Sequence, residues 1–173
     1  GLTVLISIGS AAFYSCKALG KIKVSHTVNR MGDSVFEGCE GLVKIELSPE
    51  IDTIPMRAFY GCYRLETCAG LQHVVTIGNE AFRYCRALVH VVLSKEIGDI
   101  GEYTFYGCDQ LEEVVFPKSI ASECVIGVYA FRSCEMLTKV VLPDMTRLQH
   151  IAFDVDSCTV HLSMHTLRLN IDH

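Results

Sequence analysis

The chain has 173 residues, of which 50% are hydrophobic, and a formal net charge of −5 at pH 7. This mild acidity argues against nucleic-acid binding, which requires clustered Lys and Arg side chains. No apolar run approaches the roughly 18 residues of a membrane-spanning helix, so we expect no direct membrane insertion.

One motif, I-G-x-x-x-F-x-x-C-x-x-L-x-x-V-x-F-P, recurs along the chain and is clearest in residues 100–117. It occurs six times, and the motif phenylalanines of the first five copies are 23 residues apart, whereas the last follows after 26. A fixed period of this length indicates stacked repeats in which each unit contacts only its neighbours. The motif residues that we expect to form a buried structural ladder are Phe13, Phe36, Phe59, Phe82, Phe105, Phe131, Cys16, Cys39, Cys62, Cys85, Cys108 and Cys134.

The first copy begins part-way through the motif, because Leu5 and Ile8 match the positions of Ile97 and Ile100 in the fifth copy. A solenoid that begins this way exposes a core end that terminal repeats normally cover. We therefore expect a cap, further repeats upstream, or a partner at this end.

Within each copy, two extended segments and one short helix are predicted. In the fifth copy, Val114 and Phe116 point inward on a strand that Pro117 ends, since proline cannot donate to a ladder. A second extended segment is expected around Ile100, and the three-residue spacing from Phe105 to the next motif Cys and Leu predicts one or two helical turns. Successive strands would stack as a parallel sheet.

Two copies depart from the motif. In the third, Pro55 replaces the motif Gly, and Cys68 and Gly70 interrupt the strand, which should therefore be the weakest. Before the sixth copy, a three-residue insertion within residues 118–125 should form a loop.

After residue 143 the pattern decays. We divide the chain into six repeats at residues 1–143, the first incomplete at its start, and a degenerate seventh repeat with a C-terminal cap or tail at residues 144–173. The tail at residues 164–173 is expected to cap the last coil or, alternatively, to be donated to a partner.

Six of the nine cysteines occupy one motif position, which places them in one column. Buried cysteine behaves as a small hydrophobic residue, so free buried thiols are expected, with pairing between neighbouring copies as the alternative. Neither free nor paired cysteines at these positions indicate the cellular compartment.

As it stands in residues 77–94, the sequence I-G-N-E-A-F-R-Y-C-R-A-L-V-H-V-V-L-S resembles a BspA-type leucine-rich repeat. Members of that family are bacterial surface proteins and many protist proteins. The resemblance implies a right-handed α/β solenoid with a parallel sheet on the concave side and short helices or turns on the convex side. It implies binding, and it brings no catalytic residues. The Asn ladder of general leucine-rich repeats is absent, and Cys ends the turn segment instead.

The strand register predicts two outward-facing columns on the concave side. They are Lys21, Lys44, Thr67, His90, Glu113 and Lys139, and Lys23, Glu46, Ala69, Val92, Val115 and Val141. The later half of the second column would form an apolar stripe, which favours a contact surface, although β-branched residues also simply suit a parallel sheet. The predicted partner-binding residues are His90, Val92, Glu113, Val115, Lys139 and Val141.

A further column follows the motif Phe and contains Tyr14, Glu37, Tyr60, Arg83, Tyr106 and Arg132. Tyr and Arg are enriched at interface anchors, but here they are more simply explained as a cover for the turn segment.

No nucleotide-binding, hydrolase or metalloprotease motif is present, so we predict no enzyme activity, no catalytic residue, no cofactor and no metal. His161 and His165 near Cys158 form a weak metal candidate, since the segment resembles a strand more than a helix.

The sequence therefore predicts a non-enzymatic protein–protein interaction module that binds an unidentified protein partner on its concave face. One alternative is a structural or scaffold subunit of a larger multiprotein complex that docks by its solenoid ends. A fragment of a cell-surface adhesin is a third interpretation, which rests on the resemblance alone.

Overall fold

The computed structural model describes residues 4–144, 146–149 and 152–153, together with the backbone of residues 159–162. In this part of the chain the backbone winds through short β-strands. In chain order these are β1 (Ser7–Ile8), β2 (Lys21–Lys23), β3 (Arg30–Met31), β4 (Lys44–Glu46), β5 (Thr53–Ile54), β6 (Thr67–Ala69), β7 (Thr76–Ile77), β8 (His90–Val92), β9 (Asp99–Ile100), β10 (Glu113–Val115), β11 (Cys124–Ile126), β12 (Lys139–Leu142), β13 (Thr146–Leu148) and β14 (Thr159–Leu162).

The strands stack in two columns, and each coil, meaning one copy of the motif, adds one strand to each column. We call them sheet A, which comprises β2, β4, β6, β8, β10, β12 and β14, and sheet B, which comprises β1, β3, β5, β7, β9, β11 and β13. Every strand pairing is parallel. The chain is thus a parallel β-solenoid of about six turns.

The short helices expected beside the motif Phe are absent, so this part of the predicted α/β class was wrong. Residues in this segment form successive turns. One of them is closed by the hydrogen bond from the N–H of Cys85 to the carbonyl of Phe82 at 3.0 Å. The residues two before and two after Phe82 have positive φ, 57° at Glu80 and 62° at Tyr84, which a right-handed helix excludes. The three-residue spacing is therefore that of single turns. In the described part of the chain, the one helix is a 3-10 turn at Leu71–His73.

These turns bond to the next coil instead of to themselves. The N–H groups of Glu80, Phe82 and Tyr84 each donate to a carbonyl of the following coil at 2.9 Å. An α-helix would direct the same N–H groups to carbonyls four residues earlier in its own coil. Residues with positive φ direct alternate N–H groups towards the neighbouring coil. The turn segment therefore forms a third hydrogen-bond ladder between coils, beside the two sheets.

The motif phenylalanines fill the centre of the solenoid. Phe36, Phe59, Phe82 and Phe105 are fully buried and Phe131 is 2% exposed. Neighbouring rings lie 4.9–5.5 Å apart between centroids and within 20° of parallel, and Phe153 of the degenerate seventh unit extends the column. Offset stacking of this kind is favourable beyond the burial of apolar area.

The first coil differs from this pattern. Phe13 is only half-buried and Cys16 is exposed, although both were expected to be buried. The reason is that no described residue covers the outer face of this coil, where Val4, Leu5 and Ile6 are also exposed.

Between the described strands, ladder pairing stops at three places, and each coincides with a departure from the motif. In a regular copy the motif Gly donates its N–H to the preceding coil, as Gly78 does to the Ile54 carbonyl at 2.8 Å. Between β3 and β5 this Gly is replaced by Pro55. Proline has no N–H to donate. Between β6 and β8, Gly70 adopts φ 106° and leads into the 3-10 turn. Between β10 and β12, the three inserted residues lengthen the connection.

Where the motif Gly is present in the second, fourth, fifth and sixth copies, the preceding coil approaches it closely. A Cβ at Gly101 would lie 2.6 Å from the backbone nitrogen of Asn79 and closer still to its Oδ1 atom. At Gly98, three residues earlier, a Cβ would have no neighbour nearer than 3.9 Å.

We therefore expect Gly101→Ala to lower the free energy of unfolding by about 1–3 kcal/mol, the usual range for overpacking. The matched change Gly98→Ala should stay within about 0.5 kcal/mol of the parent. Urea denaturation followed by circular dichroism measures both. Equal effects of the two substitutions would show that the close approach of the coils is not as described.

Candidate functional site

The six predicted partner-binding residues lie on the outward face of sheet A. In the pairing of β8 with β10, His90 is opposite Glu113 and Val92 is opposite Val115. Val92, Val115 and Val141 are 52%, 37% and 53% exposed, although they are β-branched residues within strands. They form an apolar stripe over three successive coils, while Val91, Val114 and Val140 on the same strands point into the core.

A cleft of about 530 Å³ opens on this face between β10 and β12. Ladder pairing between these two strands is missing. Five of the six predicted residues line the cleft, and Val92 lies on the same face one strand away. The lining residues are His90, Glu112, Glu113, Val114, Val115, Phe116, Lys139 and Val141. The sequence did not indicate that Glu112, Val114 and Phe116 would take part, because the placement of β10 and β12 is visible only in three dimensions.

Buried Val114 and Phe116 line the cleft together with exposed side chains of both kinds. His90 Nδ1 lies 3.8 Å from Glu113 Oε2, an ion pair that exists only when the imidazole is protonated. Lys139 is exposed and forms no ion pair with the described residues. An apolar centre with a polar rim is the usual anatomy of a protein–protein contact.

The opposite end of sheet A is basic, which sequence analysis noted only as part of a column. Lys21 and Lys44 are opposite each other in the pairing of β2 with β4, and both are exposed. Beside them, Lys23 Nζ lies 2.7 Å from Glu46 Oε1. This hydrogen bond and the Lys23 charge hold the pKa of the Glu46 carboxyl below its usual value.

The motif cysteines are part of the core. The Sγ atoms of Cys39, Cys62, Cys85 and Cys108 each donate a hydrogen bond of 2.9–3.2 Å to the carbonyl of the motif Phe in the preceding coil. These four residues are free thiols. Cys134 Sγ lies 3.1 Å from the Phe105 carbonyl in the same arrangement.

Burial also keeps these thiols protonated. Desolvation raises the pKa of Cys62, Cys85 and Cys108 well above the ordinary value. A thiol must ionise to act as a nucleophile or metal ligand, so these residues are suited to structural hydrogen bonding and not to catalysis.

The Tyr and Arg side chains after the motif Phe pack on one another. The guanidinium carbon of Arg83 lies 5.0–5.1 Å from the ring centroids of Tyr84, Tyr103 and Tyr106. Arg83 also binds Glu80 at 2.9 Å. This arrangement covers the turn segment, which favours the simpler of the two interpretations given above.

Chemistry of other kinds finds no support in the described residues. No group of three or more His, Cys, Asp or Glu side chains there could hold a metal ion. The candidate residues Cys158 and His165, and the side chain of His161, lie outside the described part, as does the predicted tail at residues 164–173. No described helix has the length and hydrophobicity needed to cross a membrane.

Comparison with known families gives a clear result. The model of the BspA type leucine rich repeat region matches residues 6–138 and 100–168, with six copies. Comparison with curated proteins gives no significant match.

Several solved structures have a similar fold. A leucine-rich repeat protein of T. pallidum is 27% identical with a TM-score of 0.76, and the match covers 83% of this chain and 67% of that one. A leucine-rich repeat protein of Eubacterium ventriosum is 27% identical with a TM-score of 0.65, covering 76% of this chain and 35% of that one. A leucine rich cell surface protein of Faecalibacterium prausnitzii is 24% identical with a TM-score of 0.66, covering 78% and 42%. The chain thus spans less than half the length of the last two.

The cysteine column predicts a graded reactivity towards thiol reagents. In the native protein, Cys16 should be alkylated readily because it is exposed, whereas Cys39, Cys62, Cys85 and Cys108 should be labelled only after unfolding. Iodoacetamide labelling with and without urea, mapped by peptide mass spectrometry, measures this. Native labelling of Cys85 as fast as that of Cys16 would contradict the buried column.

Proposed function

This chain belongs to the BspA-type leucine-rich repeat family, and from that premise we propose that it is a non-enzymatic protein-interaction module. The partner is a protein, and it binds on the exposed face of sheet A. Repeat proteins of this kind present a long, regular surface on which successive coils each contribute a few side chains.

The observation that carries the proposal is the apolar stripe beside the cleft. Three valines on consecutive coils are exposed, although the same strands bury a second set of valines in the core. Contiguous exposed apolar surface with a polar rim is typical of interaction sites. The cleft between β10 and β12 adds a concave feature into which an apolar anchor of the partner fits.

The proposal includes the finer shape of the solenoid. We infer that the winding is right-handed and that sheet A is the concave side, as in leucine-rich repeat proteins generally. The side chains of Val92, Val115 and Val141 then converge on one partner surface.

The absence of enzyme activity is also part of the proposal. A catalytic site needs convergent polar groups with mutual hydrogen bonds and shifted pKa values. In the cleft, His90 and Glu113 are both exposed and 3.8 Å apart, and neither is oriented by a third described group.

A second candidate function is a scaffold subunit that docks by its solenoid ends. In the described residues the outer face of the first coil is apolar, with Val4, Leu5 and Ile6 exposed. Such a face takes either a further coil or a partner that replaces one. No observation on the described residues favours the adhesin interpretation in the same way.

Substitutions that place a charge on one surface at a time separate these candidates. We expect Val115→Asp and Val141→Asp each to weaken partner binding at least tenfold, because a carboxylate in an apolar contact is desolvated without a partner. The measurement is affinity capture from an extract of the source cells, quantified by mass spectrometry and followed by binding curves with the captured protein.

The matched control is Thr53→Asp, an exposed position on sheet B whose register column already contains Asp99. This variant should bind as the parent does. If Val115→Asp and Val141→Asp leave every partner attached while Leu5→Asp releases it, the scaffold candidate replaces the proposed function.

A further inference from the structure

Sheet A divides into two chemically different halves. Over coils four to six one of its two outward columns is apolar, with Val92, Val115 and Val141 exposed. The other column carries His90, Glu113 and Lys139 there. Over coils one and two the sheet presents Lys21, Lys23 and Lys44, with Glu46 as the one acidic side chain among them. Ladder pairing is interrupted between β6 and β8, where Gly70 leads into the 3-10 turn, but both halves belong to the same column of strands. A segment that crosses the coils therefore contacts both.

Positive charge exceeds negative charge at this end of sheet A. Its three lysines have one outward carboxylate among them, Glu46, whose charge is stabilised by Lys23 and more weakly by Lys44. Lys21 and Lys44 are directly opposite each other on adjacent strands, a placement in which like charges repel. The Glu46 carboxylate is already bound to Lys23 at 2.7 Å. Among the described residues, no carboxylate forms an ion pair with Lys21 or Lys44, and the next position of their column is the neutral Thr67.

We propose that the partner of sheet A is an extended protein segment that is acidic at one end and apolar at the other. Its carboxylates bind Lys21 and Lys44, and its apolar side chains cover Val92, Val115 and Val141. This inference rests on the proposed function and adds the chemistry and the direction of the bound segment.

The dimensions agree with a short segment. Stacked ring centroids place successive coils 5.0–5.5 Å apart. The distance from β2 to β12 is five such steps, about 25 Å, which an extended chain spans in about eight residues.

Charge elsewhere on the face argues against a polyanion as the occupant. Glu112 and Glu113 are exposed beside the stripe, and the whole chain has a net charge of −5. A nucleic acid or an anionic membrane would be repelled by this half of the sheet, whereas a segment with acidic groups only at its Lys21 end is not.

A random peptide library tests the proposal on the intact chain. Peptides of about ten residues, slightly longer than the site, are selected on the immobilised parent protein and on the Lys21→Gln/Lys44→Gln double variant. The control is Lys17→Gln/Lys95→Gln, which changes the net charge equally at exposed lysines outside sheet A. Far-UV circular dichroism and urea denaturation verify that each variant is folded.

We expect peptides selected on the parent and on the control to contain two or more Asp or Glu residues at one end and apolar residues at the other. These peptides should bind the Lys21→Gln/Lys44→Gln variant about tenfold more weakly at low salt, and the difference should shrink at high salt.

The other outcomes separate this inference from the proposed function. If the selected peptides are apolar without acidic ends, or bind the lysine variant as tightly as the parent, the inference is wrong and the proposed function stands provided that Val115→Asp abolishes their binding. If no peptide is enriched on the parent, both fail. Tighter binding of single-stranded DNA or phosphatidylserine vesicles than of any selected peptide would overturn the assignment to a protein segment.

Discussion

The stacking of one phenylalanine ring per coil is the interaction on which this structure depends. Each ring contacts the ring above and below at about 5 Å, and its backbone N–H group bonds the next coil. The motif Cys then donates its S–H to the carbonyl of the Phe one coil earlier. The Phe ring, the Phe N–H group and the Cys thiol thus connect the same pair of coils at one point. The geometry of one coil therefore determines the position of the next. Because each coil has few contacts beyond its neighbours, this local rule builds the whole solenoid.

Much of the fold followed from the sequence because the motif repeats the same information six times. Period, strand register and the inward set around Val114 could all be predicted, as could the position of the inserted loop. The helical turns could not, because a spacing of three apolar residues is shared by helices and by successive single turns. The deciding feature is positive φ at residues such as Glu80 and Tyr84, and these residue types give little warning of it. Tertiary bonding to the next coil overrides their local preference.

Less of the candidate site than of the fold could be predicted from the sequence. Sequence register placed His90, Val92, Glu113 and Val115 on one face, since side chains alternate along a strand. The cleft beside them was not predictable, because its shape depends on how β10 and β12 are placed in three dimensions. Coils that follow the motif produce a uniform surface, and local departures from the motif make one region of that surface differ from another. Here ladder pairing between β10 and β12 is lost across the insertion, and the cleft lies between the same two strands.

The most direct test of this account is the stability of a variant that interrupts the ring column. Phe82→Ala removes a fully buried ring between two stacked neighbours and should lower the free energy of unfolding by about 3–5 kcal/mol in urea denaturation. Phe13→Ala removes a half-buried ring with one described ring neighbour and should cost clearly less. If Phe82→Ala unfolds at the same urea concentration as the parent, the rings do not hold the coils together and the account is wrong.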